Sequence, residues 1–152
     1  MSSGTSHIHD SAPLHVSGRA QYCDDIALPA NALHAAFGLS PIAHGHLRSL
    51  DVSAVLAAPG VAAVALPADI PGENNYGGAV HDDPIFADRR VQYAGQPLFA
   101  VAADSMRAAR KAARCAKLEL TPLPALFDIR AALAAESYVL PSQRMRRGDP
   151  QN

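Results

Sequence analysis

The chain contains no tryptophan, and aromatic residues of all kinds make up only 5% of its 152 positions. Its core must therefore be built from Ala, Leu, Val and Ile. Cysteine is scarce too. Cys23 and Cys115 stand far apart, which excludes a disulfide framework and fits a reducing cytoplasm. No apolar run approaches the ~18 residues that a membrane span needs. The opening MSSGTSHIHDSAPLH lacks the apolar stretch of a secretory signal. Neither sign of charge dominates. A formal net charge of −1 gives no bulk attraction to nucleic acid or anionic membrane. The phosphate-loop pattern, the dinucleotide glycine fingerprint, CxxC and Gly-x-Ser-x-Gly are all missing, which removes the commonest nucleotide, redox and hydrolase readings.

What is present is the composition of one soluble globular domain, 49% apolar and 18% charged. PLFAVAA (97–103) is a continuous apolar run, as expected for a strand covered on both faces. Asp104 follows as a helix N-cap. Over 104–116, at about 100° per residue, Arg107, Arg110, Lys111, Arg114 and Lys117 fall on one side. Ala108, Ala109, Ala112, Ala113 and Ala116 fall opposite, a row that lets a helix lie close on a sheet. KLEL (117–120) alternates as a returning strand, stopped by Pro122 and Pro124. The basic stripe could touch phosphate, but the helix carries no aromatic for base stacking and the chain is slightly acidic. The stripe reads as a face turned to water.

Earlier segments repeat the pattern. ALHAAFGLS (32–40) and GHLRSLDV (45–52) read as strands. SAVLAA (53–58) reads as a short helix capped by Ser53, and PGVAAVAL (59–66) as a turn into another strand. DIRAALAAE (128–136) is a last helix capped by Asp128. A long loop spans 67–92, and loops of that length are usually functional or covered by a partner. The order favours α+β or α/β, a mixed sheet with packed helices. Residues 1–13 are expected to be a disordered tail, 14–140 the folded domain and 141–152 an exit segment.

Few residues offer chemistry. His44 and His46 would share one face of a strand at a spacing that metals use, but no third ligand lies nearby. Exposed or turn roles suit them better; a small metal hydrolase built on them would require a stoichiometric metal. His7, His9 and Asp10 sit in the tail, where only adventitious metal binding is expected. His81, Asp82 and Asp83 combine a base with two acids, and turn duty before Pro84 is the simpler use. Asp24 and Asp25 are adjacent, so in an extended chain they point opposite ways and suit a turn or cap better than shared acid–base work. The acids beside Cys23 disfavour its thiolate. These residues assign no catalytic group, no cofactor-binding group and no metal ligand.

In order along the chain stand HVSGRAQYCDDI, APGVAAV, ADIPGEN, DDPIFAD, VQYAGQPLFAVAA, ARKAARCAKLELTPLPALFDIRAAL and RRGDP. Together, over about 15–149, they resemble the start of the molybdenum-binding subunit in the xanthine dehydrogenase and aldehyde oxidase family, the region called the α/β hammerhead domain. Gly18, Tyr22, Asp24 and Asp25 match the family's opening motif. Gly95, Gln96 and Pro97 match the turn into its central strand, and Pro122, Leu123 and Pro124 the segment after its long helix. All of these are structural in the family. The groups that hold molybdopterin, and the glutamate base, belong to sequence further downstream. The resemblance thus implies a non-catalytic domain whose parent is an oxidoreductase that hydroxylates purines such as hypoxanthine and xanthine with oxygen from water. It implies molybdopterin with molybdenum in the complete subunit, and iron–sulfur clusters and FAD in a partner subunit or domains. The expected partners are the remainder of the molybdenum subunit and the iron–sulfur/FAD subunit, with self-association in isolation, and neither nucleic acid nor membrane. Two readings stay open: a piece of a large subunit, or a free-standing interaction module without enzymatic activity.

Overall fold

A computed structural model describes residues 4, 9–78, 80–145 and 147–148. His7 and the last residues of the expected exit segment lie outside them. The chain forms two compact units, Met1–Ala32 and Leu33–Asn152. The first holds a short helix, α1 (Ala12–Val16), and a 3-10 turn at Cys23–Asp25. Gly18 takes a positive φ of 70° after the helix, a conformation that costs glycine little. The Asp25 carboxylate accepts from the Tyr22 N–H at 3.0 Å, so this acid closes its own turn, as the cap reading expects. The two acids lie on a 3-10 turn rather than in extended chain.

Among its described residues the second unit has six strands: β1 (His34–Leu39), β2 (Gly45–Asp51), β3 (Val61–Ala65), β4 (Arg90–Val91), β5 (Pro97–Ala103) and β6 (Lys117–Pro122). Its helices are α2 (Ser53–Leu56), α3 (Met106–Ala113) and α4 (Ile129–Ala134). The mixture of helix and strand expected from the sequence is present, but one mixed sheet is not. There are two three-stranded sheets, ordered β1-β5-β3 and β4-β2-β6, and every pairing is antiparallel. The reason lies in β5–α3–β6, which has the look of a crossover unit. Its second strand joins the other sheet and runs against β2.

β5 is central to its sheet because it is uncharged and apolar throughout. Leu98, Phe99, Val101 and Ala103 are buried there. Ala109 and Ala112 of α3 are also buried in this core, while Arg107, Arg110, Lys111 and Arg114 stand exposed. The turn into β5 uses Gly95 at φ 86°, and it buries Gln96, whose side-chain oxygen accepts from the Gln92 N–H at 2.8 Å. β6 runs on to Pro122, two residues past the expected stop, because an edge strand tolerates a proline at its end.

Two caps differ from expectation. Asp104 does not cap α3. Just past the end of β5, its N–H donates to the Gly60 carbonyl at 2.9 Å, and its carboxylate sits against Gly60. The helix starts later, capped by the Ser105 hydroxyl, which accepts from the Ala108 N–H at 3.2 Å. Nor does Ser53 cap α2: it is the first helical residue. The Asp51 carboxylate accepts from the Ser53 hydroxyl at 2.6 Å and from its N–H at 2.9 Å. Asp128 caps α4 as expected, accepting from the Ala131 N–H at 2.9 Å.

The Asp51 contacts carry a pH prediction. Bonds from the Ser53 hydroxyl and N–H, helped by the charge of Lys117, hold its carboxyl below the ordinary 3.8. A depressed folded-state value contributes stability above the unfolded value and loses it as pH falls through the folded one. Asp51→Asn should therefore have a lower Tm than the parent at pH 7. The difference should close as both proteins are acidified below about pH 4, in the range where carboxylates take up protons.

The stretch 67–92, expected as one long loop, opens with a 3-10 turn at Pro67–Asp69 and takes in β4 near its end, and the segment between them is pinned. The Asn74 amide donates to the Phe86 carbonyl at 2.7 Å and its oxygen accepts from the Phe86 N–H at 2.9 Å. The Asn75 side-chain oxygen accepts from the N–H groups of Gly77 and Asp83 at 2.9 and 3.2 Å. Phe86 and Ala87 are thereby held in buried positions. Asn74→Ala orphans both backbone groups of Phe86 and should cost about 2 kcal/mol. Urea denaturation gives the loss, and limited proteolysis should show earlier cutting within 67–92.

Candidate functional site

Where the loop rejoins the sheet, three segments meet over His44. Its Nδ1–H donates to the Pro124 carbonyl at 2.6 Å. Its Nε2 accepts from Arg90, at 3.1 Å from Nε and 2.7 Å from a terminal guanidinium nitrogen. A carbonyl on one side and a guanidinium on the other allow only the neutral Nδ1–H tautomer. Both ring nitrogens are taken, so His44 has no free lone pair for a metal and no free site for proton transfer. It joins Arg90 to Pro124. His44 immediately precedes β2, while His46 lies within it opposite Arg90 and Thr121.

A cleft of about 830 Å³ opens beside this junction. Asp82, Asp83, Tyr93, Leu126, Phe127 and Tyr138 are among the residues lining it. His81 instead faces Glu73, 3.4 Å from Nδ1 to Oε2, with both side chains exposed. The structure thus separates His81 from the cleft that its neighbouring acids line. Among the described residues no three His, Cys, Asp or Glu converge as a metal site, and no buried side-chain polar atom lacks a partner. Cys23 and Cys115 are both exposed and unpaired. No helix among the described residues is long and apolar enough to cross a membrane.

The other notable surface is apolar. No residue of α4 is buried, although its sequence is IRAALA. Phe127 is 83% exposed, Ile129 79% and Val139 94%. Phe127 and Val139 both line the cleft beside Arg90, so exposed apolar side chains edge it. Sequence reading missed the joining role of Arg90 entirely, because nothing local marks an arginine that reaches a histidine 46 residues away. The arrangement offers a cleft lined by carboxylates, tyrosines and apolar side chains in which a second body could be held.

The profile of the aldehyde oxidase and xanthine dehydrogenase a/b hammerhead domain matches residues 17–124. The chain belongs to this family. A xanthine dehydrogenase of Oryza sativa subsp. japonica is 40% identical over 137 residues, covering 90% of this chain and 10% of the relative. Xanthine dehydrogenase 1 of Arabidopsis thaliana is 39% identical over 147 residues, covering 96% and 11%. Among solved structures, the aldehyde oxidoreductase of Desulfovibrio gigas superposes with a TM-score of 0.74 at 32% identity, covering 86% of this chain and 16% of that one. The hammerhead chain spans about a tenth of the length of these curated relatives. The Gly95-Gln96-Pro97 stretch forms the turn into β5 with Gln96 buried, and Pro122 to Pro124 is the segment bonded to His44.

Proposed function

We propose that this hammerhead domain is the non-catalytic opening domain of the molybdenum-binding subunit of a xanthine dehydrogenase, whose complete enzyme hydroxylates hypoxanthine and xanthine with oxygen from water. The observation that carries the reading is the 40% identity to a xanthine dehydrogenase across nine-tenths of the chain. Among the described residues no three His, Cys, Asp or Glu converge as metal ligands, and His44 has both nitrogens engaged. We therefore assign molybdopterin to the rest of the subunit, and the iron–sulfur clusters and FAD to a partner subunit or domains. This chain's part is to dock, through the exposed residues around α4 and the cleft beside Arg90. Two free, exposed cysteines support a cytoplasmic home.

The test compares two proteins. One is the purified chain; the other is the polypeptide read through the codons that follow Asn152. The chain alone should contain no molybdenum and oxidise no purine; the longer protein, with its iron–sulfur and FAD partner present, should contain molybdenum and oxidise purine. Stoichiometric molybdenum in the chain alone would overturn the assignment. The exposed α4 also favours a second reading, a free-standing interaction module. A stop codon directly after Asn152, with a partner recovered by pull-down, would establish that reading in place of the first.

A further inference from the structure

β1 pairs with β5 alone among the described strands, so its other edge is open. The strand reads HAAFGL and carries neither lysine nor proline, two of the devices that commonly block such an edge. Beside it lies a cleft of about 650 Å³ that touches every residue from 35 to 39. Side chains alternate between faces along a strand. A cleft that meets five residues in a row therefore reaches the strand's edge, while Phe99 of β5 and Ala113 of α3 show that it also touches the sheet's face. Across the cleft stand Met106, Arg110 and Arg114, with Leu118 at its end. Exposed Phe37 and Leu39 add apolar surface.

The charges on that far wall are uncompensated. The one ion pair within 4 Å among the described residues joins His81 and Glu73, so neither Arg110 nor Arg114 has a carboxylate partner there. A face turned to water explains Arg107 and Lys111. It leaves out Arg110 and Arg114, which line an apolar cleft. Open backbone on one side, apolar floor and two guanidinium groups on the other match an extended peptide with carboxylates at alternate positions.

We propose that an extended acidic segment adds to β1 as a fourth strand, with its carboxylates on Arg110 and Arg114. The segment belongs to the remainder of the larger protein, so its source rests on the function proposed above. Binding itself does not. An acetylated, amidated hexapeptide of alternating Glu and Val is the probe, with alternating Lys and Val as its counterpart. The Glu peptide should slow amide hydrogen exchange across residues 35–39 and bind at least tenfold more weakly in high salt. Arg110→Glu/Arg114→Glu should abolish binding while leaving the thermal melt near that of the parent. Arg107→Glu/Lys111→Glu, with the same charge change away from β1, should weaken it less. The Lys peptide should not bind.

No protection by the Glu peptide, equal binding of the Lys peptide, or an equal effect of the two double variants would overturn the proposal. So would a single-stranded oligonucleotide that binds through these arginines where the peptide does not, or a dimer that protects the same amides without peptide. In the longer protein the amides should already be protected and the probe excluded; probe binding there would overturn the assigned source. Molybdenum content and purine oxidation read neither the edge nor the arginines, so failure of the parent assignment would be seen separately.

Discussion

Gly38→Val is expected to lower the free energy of unfolding by about 3 kcal/mol. Gly38 lies opposite Phe99 in the β1–β5 register. A Cβ built on Gly38 would fall inside the Phe99 ring, against Cε1, Cζ and Cδ1. The ring cannot easily yield, because Phe99 is 1% exposed and in a central strand. The strand cannot yield without giving up its pairing with β5. The glycine is required here for space and not for a left-handed backbone. Urea denaturation should show a lower midpoint with an unchanged slope.

Phe99→Ala is expected to cost about 4 kcal/mol. Phe99 is among the largest fully buried side chains, in a domain whose other core residues, apart from Phe86, are aliphatic, four of them alanine. Such neighbours have short side chains with little reach, so the cavity should stay open. The two substitutions report on one contact and should not add. With the ring removed, Gly38→Val has room, and the double variant should be more stable than the summed single losses by about 1–2 kcal/mol. Strict additivity would show that Gly38 is needed for something other than the ring.

Much of this contact was hidden in the sequence. A glycine inside HAAFGL marks a weak or closely approached strand, but the ring above it comes from a residue far along the chain. Strand positions themselves were legible, since PLFAVAA spans the observed β5 and the alanine row of α3 is the buried one. Pairing was not. β5–α3–β6 has the local pattern of a crossover, and only the apolar surface available in three dimensions sends β6 to the other sheet. Caps were legible where one residue was eligible, as at Asp128. They misled where two neighbours competed, as at Asp104 and Ser105, because the Asp104 carboxylate lies against Gly60 and the Ser105 hydroxyl reaches the Ala108 N–H. The cleft beside Arg90 was legible only as an unexplained histidine, HGH. Both partners of His44 lie on other segments, and no spacing rule connects them.

The wiring of the two sheets has a consequence during synthesis. β1 pairs with β5 and β2 with β6, each partner arriving about 70 residues later. At about 5–20 residues per second on a ribosome, several seconds pass before either sheet can close. For that interval the nascent chain holds uncharged HAAFGL with both edges bare. Early survival of the domain then depends less on its final stability than on what shields that segment while β5 is still being made.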